Sequence, residues 1–278
     1  MRVLIFGASG MLGQDLLPAF AEHHVTGLGS RDVDLRDASR VSEAVRRACP
    51  DWIILSAAYT DVDGCEQDPE KAFAVNRDGA VNVANAALEA GSRLLFVSTD
   101  YVFDGLRRTP YEIEDSRNPI NVYGRAKAEA EVRLSEILPG CCIVRTSWLF
   151  GKGGKCFPDT MLLLAKTKSE IRVVHDQRGC PTYTADLARA IAELTGKNAH
   201  GIVHATNRGN CSWYEFAHET LAAKSPNVVV LPTTTAEFPR PAKRPAYSVL
   251  SEASLRSVGI ELPPWQDALQ RYLSVRGD

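Results

Sequence analysis

The chain has 278 residues, of which 45% are hydrophobic and 24% charged, and its formal net charge at pH 7 is −2. This length and composition can bury a sizeable core in one or two domains. The near balance of charge excludes the basic excess that is typical of nucleic-acid-binding proteins.

The N-terminus reads as a strand that leads into a glycine-rich turn. Residues 2–6 are mostly apolar and predict a buried strand, and Gly7-Ala8-Ser9-Gly10-Met11-Leu12-Gly13 follows directly. Glycines in a GxxGxxG pattern permit a tight turn and a close approach of a pyrophosphate to a helix N-terminus. A helix is predicted near 11–21, although Pro18 should kink it or end it early. The expected cofactor contacts come from Gly7, Ser9, Gly10, Met11, Leu12 and Gly13.

The end of the second predicted strand, 25–28, bears on which dinucleotide is used. It is followed by Gly29-Ser30-Arg31, where NAD-preferring folds usually carry an Asp or Glu for the ribose hydroxyls. Ser30 and Arg31 could instead bind a 2′-phosphate, with Arg31 supplying the charge. The sequence therefore predicts NADPH, and it leaves NADH open because Asp32 and Asp34 lie close by.

Hydroxyl groups cluster where the fourth predicted strand, 94–98, ends. Ser98, Thr99, Asp100 and Tyr101 follow a buried apolar run. Ligands bind at the carboxyl ends of parallel strands, so the Thr99 hydroxyl could hydrogen-bond a substrate carbonyl. The alternative is a turn or capping hydroxyl, which is a common role for Thr after a strand.

Tyr123 and Lys127 form a YxxxK pair, which places both side chains on one face of a helix predicted near 121–137. A nearby ammonium group favours the phenolate and lowers the pKa of a tyrosine. The pair is therefore a candidate acid/base, although one such match also arises by chance.

Strand-like runs alternate with helical patterns along the first half of the chain. This rhythm predicts an α/β fold with a doubly wound parallel sheet. The predicted strands are 2–6, 25–28, 52–56, 94–98 and 142–146, and the predicted helices lie near 11–21, 39–48, 70–90 and 121–137. We expect an NAD(P)-binding domain over 1–150 and a smaller, mainly substrate-binding domain over 151–278.

The second half contains three further predicted features. A helix is predicted from Phe157 to Lys168, and a strand at 202–205 is expected to rejoin the sheet. The proline-rich stretch 225–247 shows few regular patterns and is expected to form part of the pocket wall.

Several motifs together resemble the dTDP-4-dehydrorhamnose reductases, a family of extended short-chain dehydrogenases/reductases. The broad match rests on the glycine motif and on YxxxK. The narrower match rests on the runs AAYTDVD at 57–63, STDYVFDG at 98–105, PINVYG at 119–124, RTSWLF at 145–150, GCPT at 179–182, and Arg244-Pro245.

The resemblance implies a Rossmann-like fold and an NADPH-dependent reduction of the C4 ketone of dTDP-4-dehydro-L-rhamnose to dTDP-L-rhamnose. Thr99 would stabilise the ketone oxygen, Tyr123 would donate a proton, and Lys127 would lower the tyrosine pKa and hold the nicotinamide ribose. Further cofactor contacts are implied for Asp34, Leu35, Ala57, Ala58, Tyr59, Tyr123 and Lys127. Substrate contacts are implied for Thr60, Val62, Asp100, Tyr101, Trp148 and Arg244.

Several of these candidate functional residues could have a purely structural role instead. Trp148 and Tyr101 could be core aromatics, and Arg244 could be a solvated charge in a proline-rich loop. Asn76 matches a conformational or catalytic asparagine of many relatives, yet it could only satisfy backbone groups in a helix.

Two other functions remain open from the sequence. A nucleotide-sugar 4-epimerase or another 4-ketoreductase would use the same residues, whereas a 4,6-dehydratase is disfavoured because Tyr101, not Glu, follows Asp100. A non-catalytic NADP-binding regulatory subunit, resembling that of methionine adenosyltransferase, is the third reading.

Cysteine usage and hydropathy indicate the cellular location of the protein. Seven cysteines without a CxxC motif predict reduced thiols in a cytoplasmic protein. No stretch approaches the 18 apolar residues of a membrane span, and the N-terminal run is too short for a signal peptide. We expect a small-molecule partner, no membrane or nucleic acid, and no metal site. Relatives often form homodimers, and the sequence does not decide this state.

Overall fold

A computed structural model describes residues 1–276. Its strands are β1 (Arg2–Phe6), β2 (His24–Leu28), β3 (Trp52–Leu55), β4 (Arg93–Thr99), β5 (Cys142–Thr146), β6 (Leu149–Phe150), β7 (Glu170–Val174), β8 (Arg178–Gly179), β9 (Thr182–Tyr183), β10 (Gly201–His204), β11 (Cys211–Ser212) and β12 (Val229–Thr233). Its α-helices are α1 (Met11–Ala19), α2 (Ala38–Ala48), α3 (Val62–Gln67), α4 (Pro69–Phe73), α5 (Gly79–Ala90), α6 (Val122–Ile137), α7 (Phe157–Ala165), α8 (Thr184–Gly196), α9 (Trp213–Lys224), α10 (Ala253–Ser257) and α11 (Trp265–Val275).

Six strands form a central parallel sheet in the order β10-β5-β4-β3-β1-β2. The strand order reverses between β1 and β3, which makes this the topological switch point where such sheets bind ligands. The predicted α/β class and doubly wound sheet are confirmed.

Two apolar clusters cover the two faces of the sheet. Along β1, Val3 and Ile5 pack into one cluster with α1 and α8, whereas Leu4 and Phe6 pack into the other with α2, α5 and α6. Successive side chains of a strand point to opposite faces, so a strand that is apolar on both faces must lie inside a layered fold. All four of these side chains are at most 1% exposed.

The helix predicted over 70–90 is wrong as a single element. The structure has α4, then a π-helical turn over Ala74–Asp78, then α5. The turn contains Asn76, whose side chain bonds to backbone of another segment, and π-turns are frequent at functional sites. Helix α1 ends at Ala19, directly after Pro18, as the proline predicted.

The second half of the chain contributes to the sheet as well as to a separate cluster. Strand β10 pairs with β5, and α8 packs on the same face of the sheet as α1. A third apolar cluster brings α7, α9 and α11 together around β7 and β12. The division of the chain into an NAD(P)-binding domain over 1–150 and a mainly substrate-binding domain over 151–278 stays a prediction.

Two local predictions in this half need correction. Strand β12 lies inside the proline-rich stretch and pairs in parallel with β7, so this stretch is more regular than its composition suggested. The helix expected to end at Lys168 ends at Ala165. Within residues 1–276, none of the helices combines the length and the hydropathy needed to cross a membrane.

Candidate active site

The glycine motif forms a tightly packed turn between β1 and α1. Gly7 has a φ of +94°, and a Cβ atom placed there would lie 2.6 Å from the backbone nitrogen of Ala57. A Cβ atom on Gly13 would lie 2.0 Å from the carbonyl oxygen of Gly7. The helix begins after Gly10, which provides no side-chain cap, so its first N–H groups are available to an anion. These features fit a dinucleotide pyrophosphate.

The residues proposed to bind the adenosine half of the dinucleotide lie after β2. Ser30 and Arg31 are both exposed, and the Asp32 carboxylate accepts a hydrogen bond from the Gly29 N–H at 2.7 Å. One oxygen of the Asp32 carboxylate therefore stabilises this turn.

Asp34 and Leu35 are fixed by neighbours. The Asp34 carboxylate accepts hydrogen bonds from Arg36, which lower its pKa. Leu35 is buried, and its carbonyl oxygen accepts a hydrogen bond from the Asn82 side chain at 2.8 Å.

Asn76 secures the loop that follows β3. Its side-chain oxygen accepts a hydrogen bond from the Tyr59 N–H at 2.7 Å, and its amide donates to the Tyr59 carbonyl at 2.9 Å. Both bonds are possible because the π-turn directs this buried side chain towards the loop. Asn76 thus satisfies backbone groups, those of Tyr59 in the loop and not those of a helix, and its conformational or catalytic role stays a prediction.

The catalytic candidates Thr99 and Tyr123 meet at the carboxyl end of β4. Thr99 is the last residue of β4, and Tyr123 lies in the first turn of α6, where the Asn121 side chain caps the helix by accepting from the Gly124 N–H at 2.7 Å. The Thr99 hydroxyl donates to the Asp100 carboxyl at 3.1 Å and accepts from the Tyr101 N–H at 3.2 Å, and it lies close enough to Tyr123 to lower the pKa of that phenol. Gly124 allows this approach, since a Cβ atom there would lie 2.1 Å from the Tyr101 carbonyl oxygen.

The pKa of Tyr123 departs from expectation. Burial raises it well above the ordinary value for tyrosine, and the charge of Asp100 raises it further, while the hydrogen bond from Thr99 lowers it. The expected lowering by Lys127 is not seen. The Lys127 ammonium group instead donates to the Val97 carbonyl oxygen at 2.7 Å.

The pKa of Lys127 is also strongly shifted by its surroundings. It is 2% exposed, and its Nζ atom lies 3.8 Å from the centroid of the Phe96 ring. Burial lowers its pKa to about 7, and the negative charge of Glu131 offsets part of this effect. Its charge can therefore change near neutral pH.

Sequence analysis missed the buried ion-pair network one helical turn beyond Lys127. Glu131 accepts hydrogen bonds from Ser98 at 2.6 Å, from Arg117 at 2.6 Å and from Arg145 at 2.7 Å. Glu131 and Arg145 are both fully buried. Burial alone would raise the pKa of Glu131, but the two arginines lower it below its ordinary value. The i,i+4 spacing from Lys127 was the available signal.

Arg244 is held beside the site by Asp63. Its guanidinium donates to the Asp63 carboxylate at 2.5 Å, and Arg240 donates to the same carboxylate at 2.9 Å. Burial alone would raise the pKa of Asp63, yet these bonds lower it well below its usual range. Arg244 lies close enough to Tyr101 to lower the pKa of that phenol, and the ring of Tyr101 meets that of Tyr123 edge to face, with the centroids 6.0 Å apart. Arg244 is therefore not a solvated loop charge.

Trp148 lies two residues beyond Thr146, which pairs with Thr99 across β4 and β5. Its φ is +47°, an uncommon backbone conformation for a bulky residue. Its ring stacks on Trp213, with centroids 3.5 Å apart and planes 7° apart, while a Cβ atom on Gly179 would lie 2.4 Å from it. The side chain is half-buried at the ligand-binding edge of the sheet.

Two of the proposed substrate-binding residues lie at the start of α3 or just before it. Thr60 is exposed just before this helix, and Val62 is its first residue and half-buried. Asp61 caps the helix by accepting from the Gly64 N–H at 3.0 Å. Residues 1–276 contain no cluster of three or more His, Cys, Asp and Glu side chains that could hold a metal ion.

Comparison with known proteins assigns the family. A family model described as the RmlD substrate-binding domain matches residues 1–276. The dTDP-4-dehydrorhamnose reductase of Sinorhizobium fredii is 39% identical to this chain, and the alignment covers 98% of this chain and 97% of that protein. This chain belongs to the dTDP-4-dehydrorhamnose reductase family.

Solved structures of the reductase family agree with this membership. The crystal structure of a dTDP-4-dehydrorhamnose reductase from Clostridium acetobutylicum has a TM-score of 0.97 at 39% identity and covers 99% of both chains. The dTDP-4-dehydrorhamnose reductase of Bacillus anthracis, solved in complex with NADP, has a TM-score of 0.94 at 40% identity and covers 98% of both chains. The resemblance stated from the sequence motifs is confirmed.

Proposed function

We propose that this chain reduces the C4 ketone of dTDP-4-dehydro-L-rhamnose to dTDP-L-rhamnose with NADPH, in deoxysugar biosynthesis. The observation that carries the proposal is the placement of Thr99 at the end of β4 and of Tyr123 in the first turn of α6, at the same edge of the sheet as the glycine turn. A ketone held at this edge would meet two hydroxyl groups and the dinucleotide site together. Family membership supports the same reaction.

Three side chains have separate roles in the proposed ketone reduction. NADPH, when bound, supplies the hydride. The Thr99 hydroxyl stabilises the charge that develops on the ketone oxygen, and Tyr123 donates the proton that converts the alkoxide into an alcohol. Lys127, whose charge can change near neutral pH, holds the nicotinamide ribose.

NADPH is the cofactor that the residues around the glycine turn favour. Ser30 and Arg31 would bind the 2′-phosphate, because an arginine fork matches phosphate geometry. The remaining proposed cofactor contacts are Gly7, Ser9, Gly10, Met11, Leu12, Gly13, Asp34, Leu35, Ala57, Ala58 and Tyr59. The NADP complex of the Bacillus anthracis relative supports this assignment.

The nucleotide-sugar would lie on the opposite side of Tyr123. Arg244, anchored by Asp63, would present a cation to the pyrophosphate, and Tyr101 and Trp148 are the aromatic side chains that would contact the sugar. Thr60, Val62 and Asp100 complete the proposed substrate contacts.

The test is the loss of NADPH absorbance when the purified protein meets enzymatically prepared dTDP-4-dehydro-L-rhamnose. Tyr123→Phe keeps the ring but removes the proton, so turnover should fall by roughly 100- to 10,000-fold. NADPH affinity, measured by fluorescence, should change little. Near-wild-type turnover of Tyr123→Phe would contradict the proposed acid.

Other outcomes separate the alternatives. Tight NADPH binding without oxidation would point to another sugar ketone or to a regulatory subunit, and a stoichiometric copurifying partner would favour the latter. Nucleotide that stays bound through purification would favour an epimerase, since a reductase must exchange its cofactor.

We also propose a cytoplasmic location. All seven cysteines are unpaired and six of them are buried, which suits a reducing compartment. Cell fractionation with an antibody against the chain tests this proposal.

A further inference from the structure

The indole ring of Trp148 is covered on both of its faces. Trp213 stacks on one face, with the ring centroids 3.5 Å apart and the planes 7° apart. A Cβ atom added to Gly179 would lie 2.4 Å from Cε2 of Trp148, 2.6 Å from Nε1 and 2.8 Å from Cζ2. An approach within the ring plane would bring this Cβ atom nearer to Nε1 and Cζ2 than to Cε2, because those two atoms flank Cε2. Gly179 therefore faces the plane of the ring and not its edge.

Gly179 and Trp213 lie on opposite sides of this ring. The three atoms nearest the added Cβ atom all belong to Trp148. A Trp213 ring stacked at 3.5 Å on the same side would occupy the position of that Cβ atom, so it must cover the other face. We call the space between Gly179 and Trp213 the indole slot. Trp148 is half-buried in it, and only the edges of its ring are left to contact a ligand.

The two walls of the indole slot are fixed to each other. Gly179 in β8 pairs with Cys211 in β11, and α9 begins at Trp213 two residues later. A capping box fixes the start of α9: the Ser212 N–H donates to the Glu215 carboxylate at 2.6 Å, and the Ser212 hydroxyl accepts from the Glu215 N–H at 3.1 Å. Backbone pairing and a helix cap thus set the width of the slot.

The backbone of Trp148 is held by the same segment that contains Gly179. Its φ of +47° is costly for a bulky residue and persists only where the surroundings impose it. Its carbonyl oxygen accepts a hydrogen bond from the Thr182 N–H at 3.2 Å. The neighbouring Ser147 hydroxyl donates to the Cys180 carbonyl oxygen at 2.7 Å. Both the backbone and the ring of Trp148 are therefore fixed before any ligand arrives.

We propose that Trp213 and Gly179 are positioning residues for the sugar of the nucleotide-sugar, on which they act through the edge of the Trp148 ring. This inference rests on the proposed reductase function. Trp148 lies two residues beyond Thr146, at the ligand-binding edge of the sheet. A ring that is clamped on both faces loses no rotamer freedom when the sugar binds, whereas a released ring has to be ordered first. Loss of the slot should therefore weaken binding of the sugar and leave the proton-donating groups unchanged.

The first experiment compares dTDP-L-rhamnose with dTDP, which lacks the sugar, by calorimetry in the presence of NADP. Trp213→Leu removes the stacked ring and keeps an apolar side chain. We expect it to weaken binding of dTDP-L-rhamnose about tenfold and binding of dTDP by less than about twofold. Trp213→Phe restores an aromatic ring and should recover most of the loss. In turnover, KM for dTDP-4-dehydro-L-rhamnose should rise about tenfold in Trp213→Leu, with kcat within about twofold of wild type.

Trp265→Leu is the matched control for Trp213→Leu. Trp265 belongs to the same apolar cluster and is more deeply buried, and it meets Phe216 edge to face with the centroids 5.7 Å apart. This variant loses a core indole without touching the slot. It should bind both ligands as the wild type does.

Gly179→Ala tests the other wall of the slot. The new methyl group would lie over the Trp148 ring, and Trp213 prevents the ring from moving away from it, so the slot must widen by about 1 Å. We expect binding of dTDP-L-rhamnose to weaken about tenfold and binding of dTDP to change little. Gly196→Ala is the control, since a Cβ atom there meets nothing within 4 Å.

Circular dichroism reports the stacked pair directly. Two indole rings at this separation couple their electronic transitions and give paired positive and negative bands in the far ultraviolet. These bands should be present in the wild type and in Trp265→Leu, lost in Trp213→Leu, and reduced in Gly179→Ala. A folded wild type without them would overturn the slot.

The outcomes separate this inference from the proposed function. A wild type that binds dTDP-L-rhamnose but does not oxidise NADPH with the keto sugar contradicts the function, and the binding data on the variants still decide the inference. Loss of the paired bands in Trp213→Leu with unchanged affinity for dTDP-L-rhamnose would overturn the positioning role. Equal weakening of dTDP and dTDP-L-rhamnose would also overturn it, because the effect would then not depend on the sugar.

Discussion

Gly124→Ala tests whether the first turn of α6 sets the position of the catalytic tyrosine. The added Cβ atom would lie 2.1 Å from the Tyr101 carbonyl oxygen, 3.0 Å from its carbonyl carbon and 3.1 Å from Cβ of Pro119. Two of these atoms belong to backbone and the third to a rigid ring, so no flexible side chain can move aside. The helix and the turn must separate by about 1 Å to restore an ordinary contact.

This displacement moves Tyr123 relative to Thr99. A misplacement of about 1 Å can cost roughly 100-fold in rate, and overpacking a well-packed region costs about 1–3 kcal/mol of stability. We therefore expect kcat to fall by about 100-fold, with a lower melting temperature. NADPH affinity should change much less, because the turn from Gly7 to Gly13 lies on other elements.

The assay combines NADPH oxidation, NADPH binding by fluorescence and thermal unfolding. Gly140→Ala is the matched control, since a Cβ atom there meets nothing within 4 Å. It should retain wild-type kcat and stability. The reasoning would be refuted by a Gly124→Ala variant with wild-type turnover and melting temperature.

Three further substitutions probe the cofactor, the core and the substrate side. Arg31→Ala should reduce the kcat/KM preference for NADPH over NADH by about tenfold or more, because a charge-assisted bond to phosphate contributes about 1.5–3 kcal/mol; an unchanged preference would remove Arg31 from the 2′-phosphate site. Glu131→Gln should lower the free energy of unfolding in urea by about 3–5 kcal/mol, since it leaves the buried Arg145 without its carboxylate; a loss below about 1 kcal/mol would show that the pair is dispensable. Asp63→Asn should raise KM for the nucleotide-sugar by about tenfold with little change in kcat, because it releases Arg244; an unchanged KM would separate Arg244 from substrate binding.

Much of the fold could be predicted because its signals are local. Each strand of the central sheet is a short apolar run, and the runs alternate with amphipathic helices, so the parallel sheet followed from the periodicity. The errors lie where tertiary contacts override the local pattern. The stretch 70–90 has a helical pattern throughout, yet contacts of Asn76 with Tyr59 accompany a π-turn in its middle.

For the site as well, the residues of local motifs could be predicted, whereas contacts between distant residues could not. Tyr123 and Thr99 were recognised from their motifs, and the structure brings them together. The acceptor of Lys127 was not predictable, since Val97 lies 30 residues away and offers only a backbone oxygen. Spacing placed Lys127 on the same helix face as Tyr123 but could not say that it donates to β4.

By itself, the sequence determined the glycine turn, the acid/base pair, the parallel sheet and the family, because each is encoded in residues that are neighbours in the chain or repeat with a fixed period. The tertiary structure alone decided that Asp63 anchors Arg244, a contact between residues 181 positions apart, and that Asp100 is buried with one unpartnered oxygen. Proton affinity and ion pairing depend on which distant groups exclude water from a side chain, and no local pattern records that information.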